Sequence, residues 1–487
     1  MSVPLDQIPA PHDAAQLTLV DQLVQWGRRR IDERVFRPGM RMPSIRKLAL
    51  DKGVSRFTVV EAYERLVAHG YLDSRRGSGF YVRERVAPAL VAKGEPPAVA
   101  AEREPVQNTI DVVWLLRNML HTSSPEKGPG LGYLPGRWLD GELITNALRA
   151  LSRQSGAQML GFGTPQGFLP LRQQLQTRLE ELEIGASAAR QIVLVSGITQ
   201  AIDLIARLYV KPGDAVIVGD PAWFQMFGRF ASQGARLVGM PYTPDGPDLD
   251  ALETLVATWR PKMLIINSVL QNPTGTSLTA AQAYRILQLA QEYDFIVVED
   301  DVYGDLCPTG FPATRLASLD QLKRVIFLGS FSKTLAANLR VGYIAAAPEV
   351  AKALADQKML VGMTSPELNE RVVYKVLTEG HYRRHVERLR ARLDGVRDKT
   401  ARMLEKTGLR LYSTPSAGMF LWADTGVDSD GLAAAGHEAG FLLTPGSLFS
   451  PHQSPTTWMR FNIANCGDPA LPELLSNCLE KAARRSA

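Results

Sequence analysis

The chain has 487 residues, 45% of them hydrophobic and 22% charged, which is ordinary globular composition and excludes wholesale disorder, collagen-like repetition or a single small module. No apolar run approaches the roughly 18 to 20 residues of a membrane-spanning helix, and the opening MSVPLDQIPAPHD lacks a basic stretch followed by an apolar one, so neither membrane insertion nor export is expected. Three cysteines without C-x-x-C spacing argue against a disulfide framework and a structural zinc, so no metal site is expected and a reducing cytoplasm is the expected location.

The formal net charge of +5 is concentrated early: residues 1–85 hold fifteen Lys and Arg against ten Asp and Glu, and the remainder balances. A basic unit joined to a neutral body suggests that the first meets a polyanion. Between residues 17 and 34, Leu19, Leu23, Trp26 and Ile31 fall near helical spacing, which Arg37-Pro38-Gly39 then breaks. Ser44 is placed to cap a second helix that buries Ile45, Leu48 and Ala49 and stops at Gly53. Ser55 caps a third, with Val59, Ala62, Tyr63, Leu66 and Val67 on one face and Gly70 at its end. Two short strands, 71–74 and 80–82, flank the turn Arg75-Arg76-Gly77-Ser78-Gly79 as a hairpin wing. Such a helix-turn-helix would present Ser55, Arg56, Phe57 and Thr58 to a major groove, where a guanidinium reaches guanine O6 and N7. The wing and the start of the second helix would hold phosphates.

Residues 37–49 (RPGMRMPSIRKLA), 53–59 (GVSRFTV) and 75–82 (RRGSGFYV) resemble the winged helix-turn-helix of GntR-type transcription regulators. The resemblance implies contacts to double-stranded DNA from Arg46, Arg56 and Thr58, with Ser55 at the same helix start, and from the wing at Arg76 and Gly77. Lys47 and Arg75 stay open between phosphate contact and bystander. Pro88, Pro96, Pro97 and Pro105, with no sustained apolar period, make residues 86–108 a semi-stiff linker. The expected organisation is a DNA-binding domain at 1–85, the linker, and a large domain at 109–487.

In the large domain, Ile192 to Val195, Ala215 to Val218, Met263 to Ile266, Phe295 to Val298 and Val325 to Leu328 are continuous apolar runs that alternate with helical stretches. That is the pattern of a parallel sheet covered on both faces, an α/β fold, and ligands of such folds gather where strands end. The first run is followed by Ser196-Gly197-Ile198-Thr199, a glycine turn opening a helix whose free N–H groups suit a phosphate. The fourth is followed by Glu299-Asp300-Asp301-Val302-Tyr303, and the fifth by Gly329-Ser330-Phe331-Ser332-Lys333-Thr334. A strand-end lysine between serines, with an aspartate at the end of another strand, has the chemistry of a Schiff base: an amine to join an aldehyde, and a carboxylate to keep a pyridine nitrogen protonated. That describes pyridoxal phosphate.

These residues resemble the fold-type I aminotransferases, the aspartate aminotransferase-like group, over roughly residues 110–485. The resemblance implies a large pyridoxal phosphate-binding domain with a smaller C-terminal α+β subdomain. It implies that Lys333 holds the cofactor aldehyde, Asp300 pairs with the ring nitrogen, Asn272 and Tyr303 bond the ring hydroxyl, and Trp223 stacks on the ring. It assigns the phosphate to Ile198, Thr199, Ser330, Ser332 and Arg340, and a substrate or effector carboxylate to Arg460. Two positions depart from the family pattern. Phe162 stands where a tyrosine usually precedes the Gly-x-Pro-x-Gly stretch, which removes one hydroxyl, and Ala337-Asn338 replaces Pro-Gly before Leu339-Arg340. Asn tolerates αL geometry, so Asn338 is expected to keep that loop.

The two halves in this order resemble the MocR subfamily of GntR-type regulators. The expectation is a transcription factor whose DNA affinity responds to pyridoxal phosphate or to an amino compound forming an aldimine with it. The resemblance also implies a homodimer in which the winged domain of one chain crosses toward the large domain of the other. The rival expectation is a working aminotransferase carrying a DNA-binding appendage. A structural partner that has lost its cofactor is disfavoured by the intact set of contact residues.

Overall fold

In the computed structural model, residues 18–33, 35–75, 77–83, 112–121, 125–153 and 160–486 are described. The linker expected at 86–108 and the wing-tip Arg76 lie outside them. The chain divides into two compact units, Met1–Val106 and Gln107–Ala487.

The first unit is a three-helix cluster with a hairpin. Helix α1 (Leu19–Asp32) is capped by Thr18, α2 (Ile45–Lys52) by Ser44, and α3 (Arg56–Ala68) by Ser55. Each cap side chain accepts an otherwise unsatisfied N–H of its helix's first turn. Between α2 and α3 the chain turns at Gly53, whose φ of 63° is the left-handed geometry that glycine adopts without steric cost. Leu23, Val24, Leu48, Val59, Ala62, Tyr63, Leu66, Leu72 and Val82 pack one core. Strands β1 (Leu72–Arg75) and β2 (Gly79–Val82) pair antiparallel, Arg75 opposite Gly79. The segment before α2 joins them: Met42 N–H donates to Phe80 O, Val82 N–H donates to Met40 O, and Arg41 bridges Tyr81.

The second unit holds an eight-stranded sheet with strands β3 (Ile192–Val195), β4 (Ala215–Asp220), β5 (Arg236–Thr243), β6 (Gly246–Pro247), β7 (Met263–Ile266), β8 (Ile296–Asp300), β9 (Val325–Ser330) and β10 (Gly342–Ala345). Their order is β3-β10-β9-β8-β7-β4-β5-β6. Pairs β4/β5, β4/β7, β7/β8 and β8/β9 are parallel, but β10 runs antiparallel to both β9 and β3, and β6 antiparallel to β5. The sheet is therefore mixed, which corrects the all-parallel expectation. Tyr343 and Ile344 of β10 lie between helix-like stretches and follow β9 too closely for a crossover, so the chain returns as an antiparallel neighbour. Because β3 and β9 both oppose β10, they point the same way, and their C-terminal ends share one edge with those of β4, β7 and β8.

The apolar runs have their physical cause here. Leu194, Ile217, Leu264, Val297 and Phe327 face one core, while Val193, Val216, Met263, Val298 and Leu328 face the other. A strand buried on both faces has no solvent side to make polar. A smaller antiparallel sheet follows, with β11 (Arg410–Leu411), β12 (Phe420–Asp424), β13 (Thr444–Pro445) and β14 (Trp458–Asn462) in the order β11-β12-β14-β13. It packs with the long helix His381–Lys406 into a third core. Among the described residues no helix is long and apolar enough to cross a membrane.

Candidate functional site

The C-terminal ends of β3, β4, β7, β8 and β9 enclose a cavity of about 110 Å³ that opens to solvent. Ile198, Thr199, Trp223, Asn272, Asp300, Tyr303, Ser330, Ser332, Lys333 and Arg340 all line it. Strand geometry explains the convergence, since residues up to 142 positions apart follow neighbouring strands and so arrive at one sheet edge.

One end of the cavity is an anion cradle. The helix Ile198–Tyr209 starts there, with free N–H groups and the positive end of its dipole. Ser330 and Ser332 are joined by a 3.1 Å hydrogen bond, and the Arg340 guanidinium donates to Ser196 O at 3.0 Å. A Cβ on Gly197 (φ 80°) would stand 2.5 Å from Arg340 Nη2, so only glycine lets that guanidinium close over the helix start. Arg340, and not Asn338, takes the left-handed conformation, with φ 52°. The expectation for Asn338 is corrected: the strained residue is the one whose side chain the turn aims at the cradle.

The other end is acidic. Asp300 is 6% exposed, and its carboxylate accepts from Val302 N–H at 3.1 Å. Burial pushes its pKa up to about 6, against the lowering effect of that hydrogen bond, so it is ionised at neutral pH. Asn272 Nδ2 donates to Tyr303 Oη at 3.1 Å. Lys333 Nζ donates to Gly132 O at 2.6 Å. Burial, followed by the Arg460 charge, pulls its pKa down to about 8, and Asp300 resists. At pH 7 about one such amine in ten is neutral and nucleophilic, against roughly one in three thousand for an ordinary lysine. Capture of an aldehyde by Lys333 should therefore accelerate with pH through a midpoint near 8, followed by the gain of visible absorbance on adding pyridoxal phosphate. A midpoint near the ordinary 10.5 would contradict this environment.

Arg460 does not line the cavity. It is 1% exposed, with Nη1 donating to Asn272 Oδ1 at 3.0 Å and Nη2 to Gly130 O at 2.6 Å. Phe420 and Phe449 lie against its guanidinium at 4.5 and 4.9 Å, and burial lowers its pKa to about 10. A ligand carboxylate at this arginine would compete with a neutral backbone carbonyl. Phe162 is exposed and stands away from the cavity lining.

Gln225, Asn267 and Val302 line the cavity and escaped sequence reasoning. Asn267 directly follows β7 and donates to Asp300 O at 2.8 Å; its signal was its place as the polar residue ending a recognised strand. The residue after Lys333 is clasped by the helix His381–Lys406, and no sequence signal marks this. His385 Nε2 lies 2.8 Å from Thr334 O. Tyr382 Oη donates to Asp305 Oδ2 at 2.6 Å, which leaves Thr334 Oγ1 to donate to Tyr382 at 2.6 Å, and Asp305 also accepts from Arg178 at 2.7 Å. Among the described residues no group of three His, Cys, Asp or Glu stands together to hold a metal.

In the amino-terminal unit, Arg46, Ser55, Arg56 and Gly77 are exposed and Thr58 is half-buried. Ser55 Oγ and Thr58 Oγ1 lie 2.7 Å apart, and Ser55 Oγ accepts Thr58 N–H at 3.0 Å, so both hydroxyls serve the helix cap first. Arg75 covers the Tyr81 ring at 4.4 Å. Gly77 has φ 75°, as the wing turn requires.

Residues 136–477 match the family of class I and II aminotransferases, and residues 19–82 match the bacterial regulatory proteins of the gntR family. Aromatic-amino-acid aminotransferase 1 of Thermococcus litoralis is 30% identical over 70% of this chain and 84% of its own. The uncharacterized HTH-type transcriptional regulator YdfD of Bacillus subtilis is 28% identical over 91% of this chain and 92% of its own. The crystal structure of Pyrococcus horikoshii kynurenine aminotransferase in complex with PMP superposes with a TM-score of 0.71 at 27% identity, covering 78% of this chain and 96% of that one.

Proposed function

Because the chain belongs to the class I and II aminotransferase family and carries a GntR-type helix-turn-helix unit before it, we propose that it is a MocR-type transcription regulator. Its DNA affinity is set by pyridoxal phosphate, or by an amino compound reacting with it. The observation that carries this reading is the convergence of a helix N-terminus, two serines, an arginine, a buried aspartate and a lysine of lowered pKa on one cavity.

The donor set fits the cofactor. Ile198 and Thr199 N–H groups, Ser330, Ser332 and Arg340 would hold its phosphate. Asp300, ionised at neutral pH, would keep a proton on its ring nitrogen, and Trp223 would cover the ring face. Asn272 and Tyr303 would bond the ring hydroxyl. When bound, pyridoxal phosphate supplies an aldehyde that joins amines and a ring that withdraws electrons. Lys333 brings the amine, and the clasp of Thr334 by His385 and Tyr382 fixes where that amine stands. Arg460 does not line the cavity, and its guanidinium is held by Asn272 and Gly130 O; a ligand carboxylate that displaced the Gly130 carbonyl there would make amino acids and other amino carboxylates the effector class.

A homodimer in the cytoplasm completes the proposal. Phe162, Leu160, Leu360 and Met363 are exposed, and Glu367 lies against Gly163. This apolar surface on the large unit is suited to a second copy. On the other unit, Arg46, Ser55, Arg56, Thr58 and Gly77, with Arg76 from the sequence, would meet DNA.

The test is a salt-controlled titration of the full chain against a duplex selected from random sequence, with and without pyridoxal phosphate and a panel of amino carboxylates. A coupling of roughly 1–3 kcal/mol is expected, and Arg56→Ala should cost about 1–3 kcal/mol and blur base preference. Affinity indifferent to every addition, together with multiple turnovers of an amino donor and a ketoacid, would instead make the chain a working aminotransferase.

A further inference from the structure

Phe57 stands on the first turn of α3 and is 76% exposed. At 100° per residue it points away from the face formed by Val59, Ala62, Tyr63 and Leu66. Every other aromatic residue described in the unit has a partner. Trp26 meets Phe36 and Lys52, Tyr63 meets Phe80, Tyr71 is covered by Arg28, and Tyr81 by Arg75. Phe57 alone enters no ring or cation contact among the described residues.

Its neighbours narrow what it meets. Arg46, Lys47 and Arg56 are exposed around the starts of α2 and α3, so the surface carries positive charge and complements a polyanion. Ser55 and Thr58 share one hydroxyl proton and give one lone pair to the helix cap, which leaves one O–H and two lone pairs between them for DNA. Arg56 is the charged group at this helix start that can reach a base edge in two bonds. A phenyl ring forms no hydrogen bond, and the major-groove edge of the bases offers one apolar feature, the thymine 5-methyl group.

Resting on the DNA-binding reading of this unit, we propose that Phe57 is a specificity-determining residue that packs on a thymine methyl in the major groove, beside the base read by Arg56. The experiment replaces each thymine of the selected duplex singly by deoxyuridine, which removes only the methyl. The full-length wild type should lose about fourfold in affinity at one thymine, the worth of one buried methyl. Phe57→Ala should bind the thymine duplex at least that much more weakly and no longer distinguish uracil from thymine there, while Phe57→Leu keeps part of the discrimination. An undiminished uracil penalty in Phe57→Ala overturns the proposal. So does an equal loss on selected and scrambled duplexes, which would place the ring against phosphates or another protein surface. A wild type that fails to discriminate selected from scrambled DNA removes the DNA-binding reading as well, which separates that failure from the failure of Phe57 alone.

Discussion

Borohydride treatment of the wild-type chain with pyridoxal phosphate should fix one pyridoxyl group on the peptide containing Lys333, and Lys333→Ala should yield that peptide unlabelled and the protein without visible absorbance. The effect is all or none because it depends on one covalent bond. The half-buried amine, with its pKa lowered to about 8 by burial, lies in the cavity between Asp300 and the Ser330 to Ser332 turn. Among the described residues no other lysine lines that space. Lys358 also has a pKa lowered to about 8, again by burial, but its Nζ donates to Leu194 O at 2.7 Å in a fully buried position, so it gives no competing label. Labelled peptide elsewhere, or absorbance persisting in Lys333→Ala, would remove the chemical basis of the proposed sensor. The variant retains the phosphate cradle and is expected to keep weak, reversible affinity for the cofactor, read by equilibrium dialysis.

Tyr63→Ala should strongly destabilise the amino-terminal unit, and DNA binding with it, while leaving cofactor capture intact. The Tyr63 side chain is 1% exposed, its hydroxyl donates to Pro43 O at 2.8 Å, and its ring packs on Phe80 with centroids 4.9 Å apart. It thus ties α3 to the start of α2 and to the wing. Truncation of a buried aromatic costs about 3–5 kcal/mol. A domain this small has a total stability of only about 5–10 kcal/mol, so its thermal transition should fall by roughly 15–30 °C. Tyr63→Phe, which removes only the hydroxyl bond, should cost about 1 kcal/mol. Calorimetry of the two proteins checks both figures. The transition of the larger unit, followed by visible absorbance, should stay in place; if both transitions fall together, the amino-terminal core does not fold as an independent unit.

The site was legible because its residues are unusual where they stand. Lys333, Asp300 and the Gly197 turn each follow an apolar run, and an apolar run that ends in a polar cluster marks a strand end facing a ligand. The caps Ser44 and Ser55 were legible for a similar reason, since a hydroxyl before a helical period has a local job that distant residues do not alter. The direction of β10 was not legible. Glycine, tyrosine, isoleucine and alanine at 342–345 read the same in either sense, and direction is decided by which edge the strand pairs with. The Thr334 clasp joins residues 48 and 51 positions apart, and Arg460 faces Gly130 O across 330 positions; neither contact leaves a periodic trace.

By itself the sequence carried the helix-turn-helix pattern, the doubly buried strands and the strand-end Gly197, Asp300 and Lys333, because these are written in local composition and period, while Trp223, Asn272, Tyr303 and Arg340 were expected only from the resemblance to the aminotransferases. Only the tertiary structure decided the mixed sheet, the cradle that Gly197 opens for Arg340, the occupied state of the Arg460 guanidinium and the bareness of Phe57. These depend on burial and on partners supplied by remote segments, and neighbouring residues along a chain carry no record of what folds against them.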